Sequence, residues 1–382
     1  MTLILILFFI LLYFLISKSK YSDPKRLYVI WITIALTYIS GLRHEAVGND
    51  TYAVMLKFES FGSVSWGEIW SNFLPKYFSP FNGFKDPGED VFNKVLYYVI
   101  PNSRIYIIFV SILFLSVLGW FIYKHSNSLF SVLFTYSFYV TIFYQYLPNS
   151  SLRQTIALTV LLIAYSFLEK NKILYFLILI VLASTFHKSS IICILLLPLS
   201  YIGNVRKMYI GSLLLFLLVL LNYQWIGGVL GTTNDVYGDY LSNSFYSQRS
   251  RPYMVILLIA GLYVLGLYFS KNDSKISDYR LHYYGTALTL CLVPLVWIDP
   301  SALRLISYFG VYMGLLVGNS AILRRDAKLY LRIAILIFLF KAITSNDNYH
   351  FMWEEMQLHE RYGFVAPKKD IQEGALQIYY YT

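Results

Sequence analysis

The chain has 382 residues, of which 57% are hydrophobic, 19% aromatic and 14% charged, with a formal net charge of +10 and a mean hydropathy of +0.56. A soluble chain of this length needs far more charge, 11 Pro and 21 Gly are too few for a fibrous or low-complexity protein, and two Cys cannot supply a disulfide framework. What remains is an all-α, polytopic integral membrane protein.

A bilayer core about 30 Å thick takes roughly 20 apolar residues per crossing helix, with about 17 to 25 tolerated. About twelve transmembrane helices are predicted, near residues 2–17, 27–42, 104–123, 128–147, 152–168, 172–187, 188–203, 208–230, 252–270, 282–298, 303–322 and 329–344. The first lacks a basic leader and is followed by Lys18 and Lys20 rather than a small-residue cleavage site, so it reads as a retained span. Residues 1–344 form the transmembrane unit, with a long outer loop at 43–103 that carries Trp66 and Trp70. A polar tail follows at 345–382. The tryptophan-bearing stretch from Ser65 to Leu74 suits a membrane interface.

Alternate connections are basic. They hold 16 of the 31 Lys and Arg and five of the 21 acids, a net +11, which leaves −1 on the other side. Basic residues in short loops set orientation, so these connections are assigned to the cytoplasm and both termini, the loop 43–103 and the tail to the outer side. The positive charge therefore has a topological origin, and no nucleic-acid partner is implied. Parity also requires an even number of crossings between Lys172 and Arg206, so residues 171–203 read as a hairpin, spanning or re-entrant. Its tip is His187, Lys188, Ser189 and Ser190.

Charges at the outer ends of spans are expensive and mark pathways or sites. Five groups stand out: Arg43 with Glu45, Gly48, Asp50 and Tyr52; Glu89; Arg153 with Gln154; His187 with Lys188 and Ser189; and Arg304 with Tyr308. Any one alone could simply anchor a helix end by snorkelling. Arg153 resists that reading. It opens an almost uncharged helix behind Ser151, a candidate N-cap, where a cation opposes the helix dipole. An anionic ligand or a partner such as Asp50 would relieve the conflict, and a guanidinium at a helix N-terminus suits phosphate. No cluster of Cys and His has metal-ligand spacing, and no Gly-rich phosphate loop is present, so neither a metal nor a nucleotide cofactor is expected. Cys193 and Cys291 read as core residues.

The stretch from Arg43 to Tyr52 resembles the Arg-x-x-x-Val-Gly-x-Asp signature of the EpsG/Wzy-type polysaccharide polymerases. The likeness continues through Pro87 to Phe92, which carries Glu89, the Arg153-Gln154 pair, the tip from Phe186 to Ser190, and Arg304 to Tyr308, in the right order over roughly residues 27 to 310. Asn49 stands where the family often has Thr. The resemblance implies a membrane glycosyltransferase, an O-antigen or capsule/exopolysaccharide polymerase of the bacterial inner (plasma) membrane. It would transfer a growing chain from undecaprenyl diphosphate onto a new lipid-linked oligosaccharide unit at the periplasmic face. The lipid-linked donor needs no cofactor. A separate chain-length regulator protein and membrane lipid would be its partners.

In this reading Arg153 and Arg304 stabilise the leaving diphosphate, and Asp50 or His187 takes the proton of the acceptor hydroxyl. The residues leave the choice of base open. Arg43, Glu89, Gln154, Lys188 and Tyr308 complete the substrate-binding set. Two competing functions are a lipid-linked glycan flippase and an O-antigen ligase. A flippase would line its route with charge, yet most spans are charge-free at their middles. Ligases place their decisive His in a large late outer loop, and the loop at 231–251 has none.

Overall fold

A computed structural model describes residues 1–48, 50–78, 86–144, 147–149, 151–202, 204–222, 225–226, 253–270, 280–298, 302–323, 327–344 and 349–354. The loop at 231–251, Asn49 of the first motif and the tail beyond residue 354 lie outside them. Among the described residues the regular elements are helices, as the sequence predicts.

The first two are α1 (Thr2–Ser17) and α2 (Pro24–Gly41). Three helices fill the long loop: α3 (Thr51–Ser60), α4 (Trp66–Phe78) and α5 (Pro87–Val99). The central part holds α6 (Ser103–His125), α7 (Leu129–Ile142), α8 (Leu152–Glu169) and α9 (Ile173–Phe186). A 3₁₀ segment (Lys188–Leu195) leads into α10 (Leu196–Ser200) and α11 (Val205–Leu221). The later elements are α12 (Tyr253–Ser270), α13 (Arg280–Leu292), α14 (Leu295–Ile298), α15 (Leu303–Leu323) and α16 (Ala327–Thr344).

Local chemistry sets the starts. Asp23 accepts from the Arg26 N–H ahead of Pro24, and Asn102, Ser128 and Asn204 do the same for α6, α7 and α11. Most of the helices are apolar on all sides, so their own pattern selects no inward face, and packing does. α7 is buried at every position from Ser131 to Ile142 and packs on α1, α15 and α16, while α6 packs on α2 and α8, and α8 on α9. The rim helices instead expose large apolar side chains, among them Ile4 and Leu11, Ile30 and Trp31, Leu174 and Ile178, Leu214 and Leu218, and Leu336 and Phe340. Apolar surface of that extent requires lipid rather than water. Among the described residues two helices, α6 and α8, are long and apolar enough by themselves to cross a membrane.

The hairpin expected at 171–203 is present, with unequal arms. α9 runs 14 residues, about 21 Å at 1.5 Å per residue. The chain turns at His187 in extended conformation and returns through the 3₁₀ segment, which packs against α8 and α15.

Polar groups gather at the two ends of the bundle. At the end that carries the basic connections, Glu169 bonds Lys124 and His125 at 2.7 Å each, and Asn319 bonds the His125 carbonyl at 2.8 Å. The other end carries the motifs.

Candidate functional site

The first motif makes a tight turn between α2 and α3. Gly48 has φ +89, and a Cβ there would lie 1.5 Å from the Asn149 carbonyl oxygen, so only glycine lets the turn press against the chain that leads into α8. Arg43 is fully buried beneath this turn. Its Nε donates to Thr51 Oγ1 at 3.1 Å, and one Nη donates to the Ser40 carbonyl. Thr51 Oγ1 also lies 3.1 Å from the Asn149 carbonyl, and Ser40 Oγ donates to Asn149 Oδ1 at 3.0 Å. Burial brings the Arg43 pKa down to about 10, which still leaves the guanidinium charged at neutral pH. Arg43 therefore holds the Asp50 turn from behind. An antiparallel bridge to Phe351, with the Met352 N–H on the Leu42 carbonyl at 2.9 Å, closes the turn from the other side, so the start of the polar tail is part of this scaffold.

Arg153 sits in the first turn of α8. Ser151 precedes that helix without capping it through its side chain, contrary to the sequence expectation, and its backbone carbonyl accepts from the Thr155 N–H instead. The partner of Arg153 also differs from the expected Asp50. Its Nη1 meets Asp86 Oδ2 at 2.7 Å, with the Asp86 side chain 4% exposed. Asp86 has a left-handed backbone (φ 66) and does not cap α5, although it precedes Pro87; its second oxygen accepts from the Lys188 N–H at 3.2 Å. One carboxylate thus ties the start of α8 to the hairpin tip. Gly88 permits this approach, since a Cβ there would be 2.1 Å from Thr185 Oγ1 of α9.

Around this pair lies a second acid–base cluster. Lys57 bonds Glu89 at 2.5 Å and Asp90 at 2.8 Å, and Lys76 bonds Asp90 at 2.6 Å. Glu89 is 1% exposed and has one oxygen without a hydrogen-bond partner among the described residues. The balance of burial and charge differs from acid to acid. Burial raises the Asp86 carboxyl, with Arg153 opposing it, and burial likewise raises Asp50 against the pull of Arg304 and Arg153. Burial would also raise Asp90, but Lys57 and Lys76 outweigh it and hold Asp90 below its ordinary value. Arg304 and Arg153 thus both favour the ionised form of Asp50.

The remaining residues of the sequence-derived set join the same region. Gln154 is fully buried, and its Nε2 donates to the Arg304 carbonyl at 2.6 Å and to Ser307 Oγ at 2.8 Å, which fixes the start of α15 beside Arg153. His187 Nδ1 is 2.7 Å from the Tyr308 hydroxyl and 2.8 Å from Ser189 Oγ. Lys188 is exposed and donates from Nζ to the Tyr77 carbonyl at 3.1 Å. Among the described residues no group of three or more His, Cys, Asp and Glu is arranged to hold a metal.

The sequence reading missed Asp86, Lys57, Asp90 and Lys76. Asp86 stands just before Pro87 and reads as an ordinary N-cap. The lysines lie on α3 and α4, whose packing against α5 no spacing in the sequence announces.

A family model described as the EpsG family matches residues 25–354, which takes in each of the motifs above. The chain belongs to the EpsG family. Comparisons with curated proteins and with solved structures returned no match. Membership in the EpsG family together with the apolar helices makes this a membrane protein, and it fits a polysaccharide-polymerase type of role.

Proposed function

We propose that this EpsG-family protein is a glycosyltransferase that polymerises undecaprenyl-diphosphate-linked oligosaccharide units into O-antigen or capsule/exopolysaccharide at the periplasmic face of the inner membrane. In this reading it has about twelve spans and both termini outside. The observation that carries the proposal is the convergence of Arg153 with Asp86, of Asp86 with the backbone beside His187, and of Gln154 with the Arg304 carbonyl, from four separate stretches of chain.

A diphosphate leaving an anomeric carbon gathers negative charge on its oxygens, and a preorganised cation binds that charge more tightly in the transition state than before it. Arg153 and Arg304 supply two such cations. Arg153 is 35% exposed on its side chain, so it is open to a ligand while Asp86 holds its position. Asp50 and His187 are the groups that can take the acceptor's proton. Arg43 acts at one remove by fixing the turn, as do Gln154 through α15 and Glu89 through Lys57. Lys188, exposed at the tip, would serve the outer phosphate on release from the Tyr77 carbonyl.

The packed interior supports an enzyme over a flippase. Among the described residues α7 is buried from Ser131 to Ile142 and carries no charged side chain of its own there. The test is deletion of the gene, with the surface glycan run on a gel. Loss of the ladder with a single repeat unit retained supports the polymerase. Loss of all units points to a flippase or ligase, and an unchanged ladder overturns the reading.

A further inference from the structure

Helix α4 sorts its side chains into two opposite rows. Trp66, Trp70, Leu74 and Phe78 recur at every fourth position, and Glu68, Asn72 and Lys76 recur two positions on, about 200° around the axis. Trp70, Leu74 and Phe78 are 58%, 61% and 73% exposed, whereas Ile69 is buried and Lys76 is drawn onto Asp90 at 2.6 Å. We propose that the exposed row is the docking face for the polyprenyl tail of the lipid-linked diphosphate whose head group is bound at Arg153. For the class of substrate this rests on the polymerase reading above.

The row meets the cationic site at one end. Tyr77, the neighbour of Phe78, accepts from Lys188 Nζ on its carbonyl at 3.1 Å, and its hydroxyl pairs with Ser184 Oγ of α9 at 2.7 Å. The Lys188 N–H is bound in turn by Asp86, the carboxylate that holds Arg153. The apolar row therefore begins at the hairpin tip, beside the exposed Lys188 and the 35% exposed side chain of Arg153. From there it follows the 13 residues of the helix, about 20 Å at 1.5 Å per residue. At the far end Trp66 stacks on Tyr98 of α5, itself exposed, so the apolar surface continues beyond the helix.

Charge complementarity selects the occupant. A polyprenyl diphosphate is an anionic head joined to a long apolar chain, and the protein presents accessible cations joined to a long uncharged row. The rim helices that face bulk lipid are apolar on all sides. α4 instead turns its apolar row outward and its lysine inward, the arrangement of a helix lying along a membrane interface, which is the depth of a lipid head group. Lys188 couples the two halves, because the same backbone carbonyl that ends the row also holds the lysine nearest the tip.

The test is equilibrium binding to the full-length protein in detergent micelles, with radiolabelled undecaprenyl diphosphate and geranyl diphosphate as probes. The two share a head group and differ in tail length. The wild type should bind the long-chain probe more tightly. Trp70→Ser/Leu74→Ser/Phe78→Ser should weaken that probe at least tenfold and leave the Kd of geranyl diphosphate unchanged, while Arg153→Ala should weaken both by a similar factor. A wild type without the long-chain preference, or a triple variant that keeps it, overturns the inference, since bulk lipid then suffices to cover the row. A triple variant that weakens both probes alike also overturns it, since α4 then serves only the architecture of the site. A benzophenone-bearing polyprenyl diphosphate gives a reading that needs no variant: photolysis should label wild-type peptides within Trp66–Phe78, and labelling confined to other segments overturns the inference. Long-chain preference and a labelled α4 in a protein that lengthens no glycan overturn the polymerase reading and leave the docking face standing.

Discussion

Asp86 and Arg153, 67 residues apart in the chain, form an ion pair of 2.7 Å in which the carboxylate is 4% exposed and the guanidinium 35% exposed. The acid is therefore the fixed member and the base the accessible one. A cation so held sits at the N-terminus of α8, where the helix dipole disfavours it, and Asp86 offsets that field. A guanidinium presented in this way is preorganised for an incoming anion.

Arg153→Ala is expected to leave the protein inserted and abundant while glycan lengthening falls by about 10² to 10³, the usual effect of removing one electrostatic group from a transition state. Cells carrying it should display little beyond one repeat unit. A normal ladder on a gel at equal expression would remove Arg153 from the mechanism.

Asp86→Asn should separate function from stability. The folded protein raises the Asp86 carboxyl above the ordinary value of 3.8, so the native state binds that proton more readily than the unfolded chain. The ionised carboxylate then works against folding at neutral pH, and this cost fades as pH falls through the window just above 3.8. The Asn variant is expected to melt at the same temperature as the wild type or higher at pH 7, yet to polymerise poorly. Asp90 has the opposite sign. It is held below 3.8, so its contribution is present above that pH and is lost as pH falls through its lowered folded value. Asp90→Asn should therefore lower the melting temperature at pH 7, with the difference closing in acid. Melting curves of the solubilised protein across pH check both, and parallel behaviour of the two variants would contradict the assignment.

Gly48→Ala should cost at least 1 to 3 kcal/mol, roughly the strain of one disallowed backbone conformation, before its overlap with the Asn149 carbonyl is counted. Gly211→Ala in α11, where an added Cβ meets nothing within 4 Å, should be neutral or slightly stabilising. Comparable yields and melting temperatures for the two would show that the turn is not built as described.

If His187 is the base, polymerisation in membranes should decline as pH drops below about 6.5, where a histidine ordinarily takes up its proton. Asp50 starts from a carboxyl's range even with burial raising it, so an Asp50 base would sustain activity to lower pH. Rates with a lipid-linked acceptor between pH 5 and 8 decide between them.

Much of this was legible in one dimension. Composition alone requires lipid around the helices, since apolar residues that outnumber the available interior must face a nonpolar solvent. The scarcity of charge makes each outer Arg, His and acid conspicuous, which is why Arg43, Asp50, Arg153, His187 and Arg304 could be singled out. Which of them touch could not be read. Helices apolar on all sides carry no periodic signal of facing, so the sequence offers Arg153 an anionic ligand or a partner such as Asp50, whereas packing of α5 against α9 delivers Asp86. The same holds for Tyr308, which sequence places near a motif and only burial in α15 directs onto His187. The amino-acid sequence determined the solvent and the chemical inventory, because these depend on composition. The tertiary structure decided the pairing, because in a chain with so little charge a single close approach settles which acid each cation meets.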